Sequence, residues 1–129
     1  MLSISQSAQK TGLSIKSIRH YEQIGLLQNV PRSSNGYRYY TNSLLQQLHF
    51  IKSTKEAGFT LQESRALLAL SENKNRSSSD VKKIALQKIE ELEARIEQQQ
   101  LLLVSLKKLT QQCQGNANAT CPIIDAFAK

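Results

Sequence analysis

Apolar residues near the start of the chain recur at helical intervals and predict two short helices separated by a glycine turn. Residues 4–11, ISQSAQKT, favour a first helix that Gly12 can end in a left-handed conformation. Ser14 is suited to cap a second helix, which Gly25 would end. The inward stripe of this second helix follows a spacing of three: Ile15, Ile18, Tyr21 and Ile24. Two short helices joined in this way are typical of a helix-turn-helix.

The next segment, residues 26–40, predicts a hairpin that would form a wing beside the second helix. Its sequence LLQNVPRSSNGYRYY opens apolar, passes through a polar stretch that ends in Asn-Gly, and closes with aromatic residues. Asn-Gly favours a tight turn, and tyrosine-rich flanks favour strands. Arg32 and Arg38 would lie on this wing, and Tyr39 is expected to pack in the core.

Two further helices are bounded by capping residues and a glycine. Thr41 can cap a helix that Gly58 stops, and the apolar side of this helix comprises Leu44, Leu45, Leu48 and Ile51. Thr60 and Glu63 form a capping-box pattern, TLQE, that opens a helix to about Leu70.

After a polar linker at residues 71–78, the chain predicts one long helix over residues 79–112, which contain no glycine or proline. Such a helix would be roughly 50 Å long. Alternating steps of four and three define a heptad seam at positions 85, 89, 92, 96, 99, 103, 106, 110 and 113, interrupted by Gln99 and Thr110. A helix of this length cannot bury its seam against itself, so we expect a homodimer. Packing of the seam on the same chain's first domain is the alternative.

The predicted fold class is therefore mainly α. An N-terminal winged helix-turn-helix DNA-binding domain would span residues 1–70, and a long coiled-coil dimerisation helix would span residues 79–112. Residues 113–129 would form a metal-binding loop and a short terminal helix that begins at Pro122, because proline is favourable at the first helical position.

The positive charge is concentrated in the first half of the chain. The 129 residues carry a formal net charge of +7. Residues 1–60 contain seven Lys or Arg and two Glu, whereas residues 61–129 contain ten basic and eight acidic side chains. A basic N-terminal domain favours binding to a polyanion such as DNA. The N-terminus lacks the apolar run of a signal peptide, and no stretch approaches the roughly 18 apolar residues of a membrane span, so we expect a cytoplasmic protein without a membrane segment.

The two cysteines of the chain, Cys113 and Cys121, lie in one loop and are separated by QGNANAT, in which Gly115 permits a positive φ. Soft thiolates select Cu(I) among the common ions, whereas a structural zinc site usually takes four ligands and the two histidines, His20 and His49, are remote in sequence. The pair therefore favours a soft monovalent ion, and the helix that follows Cys121 would stabilise a thiolate there. A disulfide, or two incidental thiols in a surface loop, are the alternatives.

Three motifs resemble the MerR family of transcription regulators: SIRHYEQIGLL at 17–27, RSSNGYRYY at 32–40 and AGFTLQE at 57–63. The long helix and the cysteine loop follow in the order expected for that family. Two cysteines with seven residues between them, followed by Pro-Ile-Ile, resemble the branch that responds to copper, silver and gold. Ser78 matches the position where the sensors of divalent metals carry a third cysteine, which implies a site that does not favour divalent ions.

The resemblance also implies a function. The protein would activate copper efflux or detoxification genes, with Cu(I) as the effector and Ag(I) or Au(I) as alternatives. A homodimer would bind a palindromic promoter site with or without metal. Metal would shift the dimer to a state that distorts an overlong promoter spacer, so that RNA polymerase can engage both promoter elements.

Eight residues are the candidates for DNA contacts: Ser14, Lys16, Arg19, His20 and Tyr21 from the recognition helix, and Arg32, Tyr37 and Arg38 from the wing. A helix in the major groove reads base edges, while Lys and Arg on the flanking phosphates position it. Solvated surface positions are the alternative for the charged residues, and core packing is the alternative for the tyrosines.

Two other functions remain open from the sequence. A thiol redox sensor would join Cys113 and Cys121 in a disulfide, and an architectural DNA-binding dimer would use the loop for stability only. An enzyme is not expected, because the sequence contains no nucleophile–base arrangement, no phosphate-binding loop and no HExxH-type pair.

Overall fold

The computed structural model describes residues 1–128, and its regular elements are six helices. In chain order they are α1 (Ile4–Thr11), α2 (Ile15–Gln23), α3 (Asn42–Glu56), α4 (Leu61–Glu72), α5 (Ser78–Gln112) and α6 (Pro122–Phe127). The mainly helical fold predicted from the sequence is confirmed. Contacts group the described residues into two units, the first from Met1 to Ile84 and the second from Ala85 onward. In this part of the chain, no helix has the length and apolarity needed to cross a membrane.

Side-chain caps set the starts of the helices in the first unit. Ser14, Thr41 and Thr60 each accept a hydrogen bond from the backbone N–H three residues later, as the sequence predicted. Ser3 was not predicted as a cap. Its Oγ accepts the N–H of Gln6 at 3.2 Å, and its own N–H donates to Gln6 Oε1 at 2.9 Å. Each cap satisfies an N–H group that has no partner within the helix, which stabilises the helix by about 1 kcal/mol.

The hydrophobic core of the first unit joins α2 and α3 with the wing, residues 26–40. Ile18, Leu27, Tyr40, Leu48 and Ile51 are at most 2% exposed. Helix α3 packs on α4, and α1 packs on both α2 and α3. Helix α2, the predicted recognition helix, is therefore anchored through its inward stripe, while its opposite side remains in solvent.

The wing differs from its prediction because it contains no regular strand. One antiparallel bridge joins Arg32 and Arg38. Pro31 has no N–H to donate, and Asn29 has a positive φ of 58°, so regular strand pairing cannot extend away from the turn. The hairpin is a tight loop closed by a single bridge.

Tyr40, and not Tyr39, is the wing tyrosine that packs in the core. Tyr40 is fully buried, whereas Tyr39 is partly exposed. The N–H of Tyr40 donates to the carbonyl of Leu2 at 2.7 Å, and the N–H of Leu2 donates to the carbonyl of Tyr40 at 3.1 Å. Neighbouring side chains of an extended segment point to opposite sides, so this pairing with the N-terminus decides which tyrosine turns inward.

The second unit contains most of α5, the cysteine loop (residues 113–121) and α6. In the single chain, four apolar residues of the predicted seam on α5 are exposed, Ile89 48%, Ile96 57%, Leu103 51% and Leu106 45%, whereas Ala85 and Leu92 are partly buried. Leu92, Ile96, Gln99 and Leu103 help to line an open groove of about 420 Å³ along this helix. The apolar seam thus has no cover within its own unit.

Candidate metal centre and nucleic-acid interface

Cys113 and Cys121 come together where α5, the cysteine loop and α6 meet. Cys113 follows the last residue of α5, and Cys121 is the N-cap residue of α6. Both cysteines are free and partly buried, and their Sγ atoms are 3.4 Å apart. This is a hydrogen-bonding contact between thiols, since the sulfurs of a disulfide would be roughly 2.05 Å apart. A single soft ion could therefore contact both sulfurs.

The start of α6 favours the thiolate form of Cys121. The backbone N–H of Ile124 lowers the pKa of the Cys121 thiol most, followed by the Cys113 side chain and the N–H of Ile123, whereas burial and Asp125 raise it. These two amides belong to the first turn of the helix, where N–H groups lack partners within the helix. The expected stabilisation of sulfur by the positive end of this helix is confirmed in direction. The thiolate is the form that binds metal.

Local hydrogen bonds close the cysteine loop. Asn116 Nδ2 donates to Gln114 Oε1 at 2.9 Å, and the N–H of Asn118 donates to Asn116 Oδ1 at 2.9 Å. Gly115 has a φ of 65°, the left-handed conformation expected for it, which residues with a side chain rarely adopt. Short polar side chains and one glycine therefore return the chain from the end of α5 to the start of α6.

The donor set that one chain offers at this centre is two sulfur atoms. Across residues 1–128, no group of three or more His, Cys, Asp or Glu side chains is placed to hold a metal ion. The two histidines, His20 and His49, lie on α2 and α3. Two thiolates fit a soft monovalent ion, and they fall short of the four ligands that zinc takes in structural sites.

Ser78, the candidate selectivity residue, is the first residue of α5 and is exposed. The hydrogen bond at the start of the helix is made by its neighbours: Ser77 Oγ accepts the N–H of Ser79 at 3.2 Å. The side chain of Ser78 is thus left in solvent by its own unit. Its role in metal selectivity stays a prediction.

Three of the candidate DNA contacts are exposed on the recognition helix: Lys16, Arg19 and His20. Ser14 stands at the start of this helix, and its Oγ accepts the N–H of Ser17 at 3.0 Å. Two cations on the first turns of a solvent-facing helix can reach phosphate groups, and Ser14 fixes where the helix begins. Their contacts with DNA stay predictions.

Tyr21 lies in the core and not on the exposed side of α2. Its side chain is 5% exposed, and burial raises the pKa of its hydroxyl. The reason is its helical position, three residues after Ile18 on the inward stripe. The Tyr21 ring therefore packs in the core, as its place on the inward stripe predicts, and its contact with DNA stays a prediction.

The wing presents Arg32 and Tyr37 to solvent. Tyr37 is 74% exposed, so core packing is excluded for it. Arg38 is bound more closely to the domain, since its Nε donates to a carboxylate oxygen of Glu22 on α2 at 2.7 Å. Glu22 was not predicted as a functional residue, and its signal in the sequence was a single acidic residue on an otherwise basic helix.

Comparison with known protein families shows the family to which this chain belongs. The family described as "MerR HTH family regulatory protein" matches residues 2–71, and the one described as "MerR, DNA binding" matches residues 45–109. The chain belongs to the MerR family. It is thus a transcription regulator and not an enzyme, and the MerR resemblance inferred from three short motifs is confirmed.

Other MerR-family members resemble this chain over nearly its whole length. It is 42% identical over 124 residues to the transcriptional regulator CueR of Salmonella typhimurium, covering 96% of this chain and 90% of that protein. It is 42% identical over 126 residues to a probable heavy metal-dependent transcriptional regulator of Haemophilus influenzae, covering 98% of each. Among solved structures, the regulator PbrR691 of Ralstonia metallidurans CH34, in complex with lead(II), has a TM-score of 0.85 at 26% identity, covering 98% of this chain and 99% of that one.

Proposed function

We propose that this MerR-family regulator is a Cu(I)-responsive activator of copper efflux or detoxification genes, with Ag(I) and Au(I) as alternative effectors. The observation that carries the proposal is the pair of free thiols of Cys113 and Cys121, whose Sγ atoms are 3.4 Å apart. Among the described residues, no third metal-ligating side chain is grouped with them. Two thiolates satisfy a soft monovalent ion and leave a divalent ion short of ligands.

The names of similar proteins support a response to metal, but they do not agree on which metal ion it is. CueR and a heavy metal-dependent regulator are among the relatives, while PbrR691 is seen with lead(II). The choice of a monovalent ion therefore rests on the donors of this chain. Ser78 contributes to that choice, because its neutral hydroxyl replaces the third cysteine of the divalent-metal sensors and offers no further anionic ligand.

The proposed regulator is a homodimer formed through α5. Ile89, Ile96 and Leu103 are about half exposed in the single chain, and a partner helix would bury them. Burial stabilises the pair by about 25 cal/mol per Å² of apolar surface. In an antiparallel pair, which the family resemblance implies, the start of one α5 lies near the end of its partner. Ser78 would then reach the cysteine loop of the other protomer.

On DNA, the dimer would place two copies of α2 and the wing on a palindromic promoter site. Lys16, Arg19 and Arg32 would contact phosphates, and exposed polar residues such as His20 would face base edges. The dimer would bind with or without the ion. Ion binding would favour a state that distorts the promoter for RNA polymerase, which requires the ion to bind the two states with different affinities.

Transcription in vitro from a candidate promoter, titrated with buffered Cu(I), Ag(I) and Zn(II), tests this proposal. We expect activation by the monovalent ions and none by zinc. Cys113→Ser and Cys121→Ser should each abolish activation while DNA binding persists, because both thiols lie outside the DNA-binding domain. Equal activation by zinc, or copper activation of both serine variants, would contradict the proposal.

A thiol redox sensor is the second candidate, because the free thiols already lie in contact. A peroxide would oxidise the Cys121 thiolate to a sulfenic acid, and the Cys113 thiol would displace water to form the disulfide. An anaerobic titration separates the two functions. Activation by Cu(I) without oxidant supports the metal sensor, and activation of metal-free protein by peroxide supports the redox sensor.

A further inference from the structure

We propose that Glu22 is a positioning residue for DNA binding, which orients Arg38 of the wing toward a DNA phosphate. The inference rests on the proposed DNA-binding surface and adds to it an acidic residue that would otherwise be expected to repel DNA. Glu22 belongs to the recognition helix, and Arg38 belongs to the wing. The contact therefore joins the two parts of the domain that face the duplex.

The geometry leaves most of the Arg38 guanidinium unused. Arg38 Nε lies 2.7 Å from both Glu22 Oε1 and Oε2, so the carboxylate engages the inner edge of the group. Arginine has five N–H donors, and Nε carries one of them. Among the described residues, Arg38 makes no other side-chain hydrogen bond. Its four terminal N–H donors remain for an acceptor from outside the chain, and its side chain is 38% exposed.

A buried tyrosine, Tyr40, lies near this pair. Tyr40 is fully buried, and its hydroxyl has no hydrogen-bond partner. Burial raises the pKa of Tyr40 and the charge on Glu22 raises it further, whereas the charges on Arg38 and Arg19 lower it, so the hydroxyl lies near one anion and two cations. The backbone of Arg38 is itself bridged to Arg32.

The Glu22–Arg38 pair fixes the position of the Arg38 guanidinium and adds little to the stability of the fold. Partly exposed ion pairs stabilise folded proteins little, whereas an arginine side chain carries about 2 kcal/mol of rotamer entropy. A guanidinium already fixed by Glu22 loses less of that entropy when it binds phosphate. The Glu22 carboxylate also raises the pKa of Arg38, although the guanidinium is charged at neutral pH without it.

Glu22→Gln separates a positioning role from simple charge repulsion, because the two predict opposite changes in the affinity for DNA. Removing a negative charge from the DNA-binding face should strengthen DNA binding if Glu22 only repels phosphates. If Glu22 positions Arg38, the affinity for a palindromic duplex selected by the wild-type protein should fall about tenfold, and the affinity for a scrambled duplex of the same composition should fall by a similar factor, because a phosphate contact carries no sequence information. Fluorescence anisotropy over a range of salt concentrations measures the affinities for both duplexes.

The salt dependence of DNA binding shows whether the affected interaction is one with phosphate. Removing one phosphate interaction per protomer lowers the slope of log K against log salt by about 1.8 for the dimer. We expect Glu22→Gln and Arg38→Gln each to show this drop, and the double variant to resemble Arg38→Gln alone. Additive decreases in the affinity of the double variant, or an unchanged slope in Glu22→Gln, would overturn the inference.

Two controls keep the test specific. Glu56→Gln removes another carboxylate of the same domain, one that lies 3.8 Å from Lys52, and should not lower the slope. Tyr40→Phe removes the unpartnered hydroxyl and should leave DNA affinity within about twofold. If Arg38→Gln binds both duplexes normally while the wild type still responds to copper, the positioning role fails and the proposed function stands. If the wild type fails to bind any selected duplex, both fail.

Discussion

The backbone N–H of Ile124 lowers the pKa of the Cys121 thiol more than any other neighbouring group does. The Cys121 thiolate should therefore form at a lower pH in the folded protein than in the unfolded chain, where water solvates those amides. We expect alkylation of Cys121 by iodoacetamide, followed by mass spectrometry in metal-free protein, to rise at a lower pH than in concentrated urea. Coincident profiles in the two conditions would contradict the assignment.

The same pKa shift links stability to pH. A thiol whose folded-state pKa is depressed stabilises the fold fully above its unfolded-state pKa, and this stabilisation is lost as the pH falls through the folded-state pKa. The free energy of unfolding of the metal-free protein should therefore fall over that window. Cys121→Ser should remove this part of the pH dependence, which urea titrations at a series of pH values would measure.

Gly12 and Gly25 follow α1 and α2 with nearly the same φ, 77° and 78°, in different surroundings. A Cβ at Gly12 would clash with Lys52 Nζ, whereas a Cβ at Gly25 would meet nothing within 4 Å. Gly25→Ala should lower the free energy of unfolding by the left-handed strain alone, about 1–2 kcal/mol. Gly12→Ala should lower it by a similar amount, because the Lys52 ammonium is the end of a flexible, partly exposed side chain and can move aside at little cost.

Chemical denaturation at a fixed protein concentration measures both glycine variants. In a Lys52→Ala background the clash disappears, and the two substitutions should then lower stability by similar amounts. A clearly larger loss of stability for Gly12→Ala in the wild-type background, relieved by Lys52→Ala, would contradict this expectation, because it would mean that Lys52 cannot move aside freely.

Helix boundaries could be predicted from the sequence because single residues decide them. The long helix expected over residues 79–112 is observed from Ser78 to Gln112, and the caps at Thr41 and Thr60 were read from their hydroxyls. The wing was less predictable, since the inward choice of Tyr40 depends on a bridge to the N-terminus that no local pattern encodes.

The candidate sites could likewise be predicted from the sequence only in part. The thiol pair could be predicted because the chain has two cysteines in one short loop with a glycine and small side chains. The Glu22–Arg38 pair could not, because it joins residues 16 positions apart on two different segments. Tyr21 was predicted both for the inward stripe and as a DNA contact, and the structure places its ring in the core.

The dimer predicted from the seam of α5 can be tested by placing a charge within it. Ile96 is 57% exposed in the single chain and lines the groove along the helix. Ile96→Lys should raise the dimer dissociation constant at least about tenfold, or about 1.4 kcal/mol, because a lysine charge would be desolvated in the seam. Analytical ultracentrifugation measures this constant.

Gln98→Lys is the matched control for the seam. It adds the same charge two residues away, at an exposed position of α5 that is not part of the seam. We expect its dissociation constant to stay within about twofold of the wild type. Equal weakening by both variants would indicate that the dimer uses a different surface of the helix.

Ser78→Cys tests whether the number of thiolate donors determines which ions activate the protein. A third thiolate, contributed by the partner of an antiparallel pair, would add an anionic ligand and satisfy a divalent ion better than two sulfurs can. We expect transcription in vitro by the Ser78→Cys protein to respond to Zn(II), to which the wild type should not respond. Activation by Cu(I) should persist, because Cys113 and Cys121 are unchanged.

Ser79→Cys supplies the same extra thiol one residue further along α5, in an equally exposed position. One residue rotates a side chain by about 100° around the helix axis, so this thiol would point away from a site that Ser78 reaches. Its response to zinc should therefore equal that of the wild type. If both variants gain a zinc response, any nearby thiol suffices and Ser78 is not the selectivity position; if neither does, the proposed approach of Ser78 to the partner's cysteine loop is wrong.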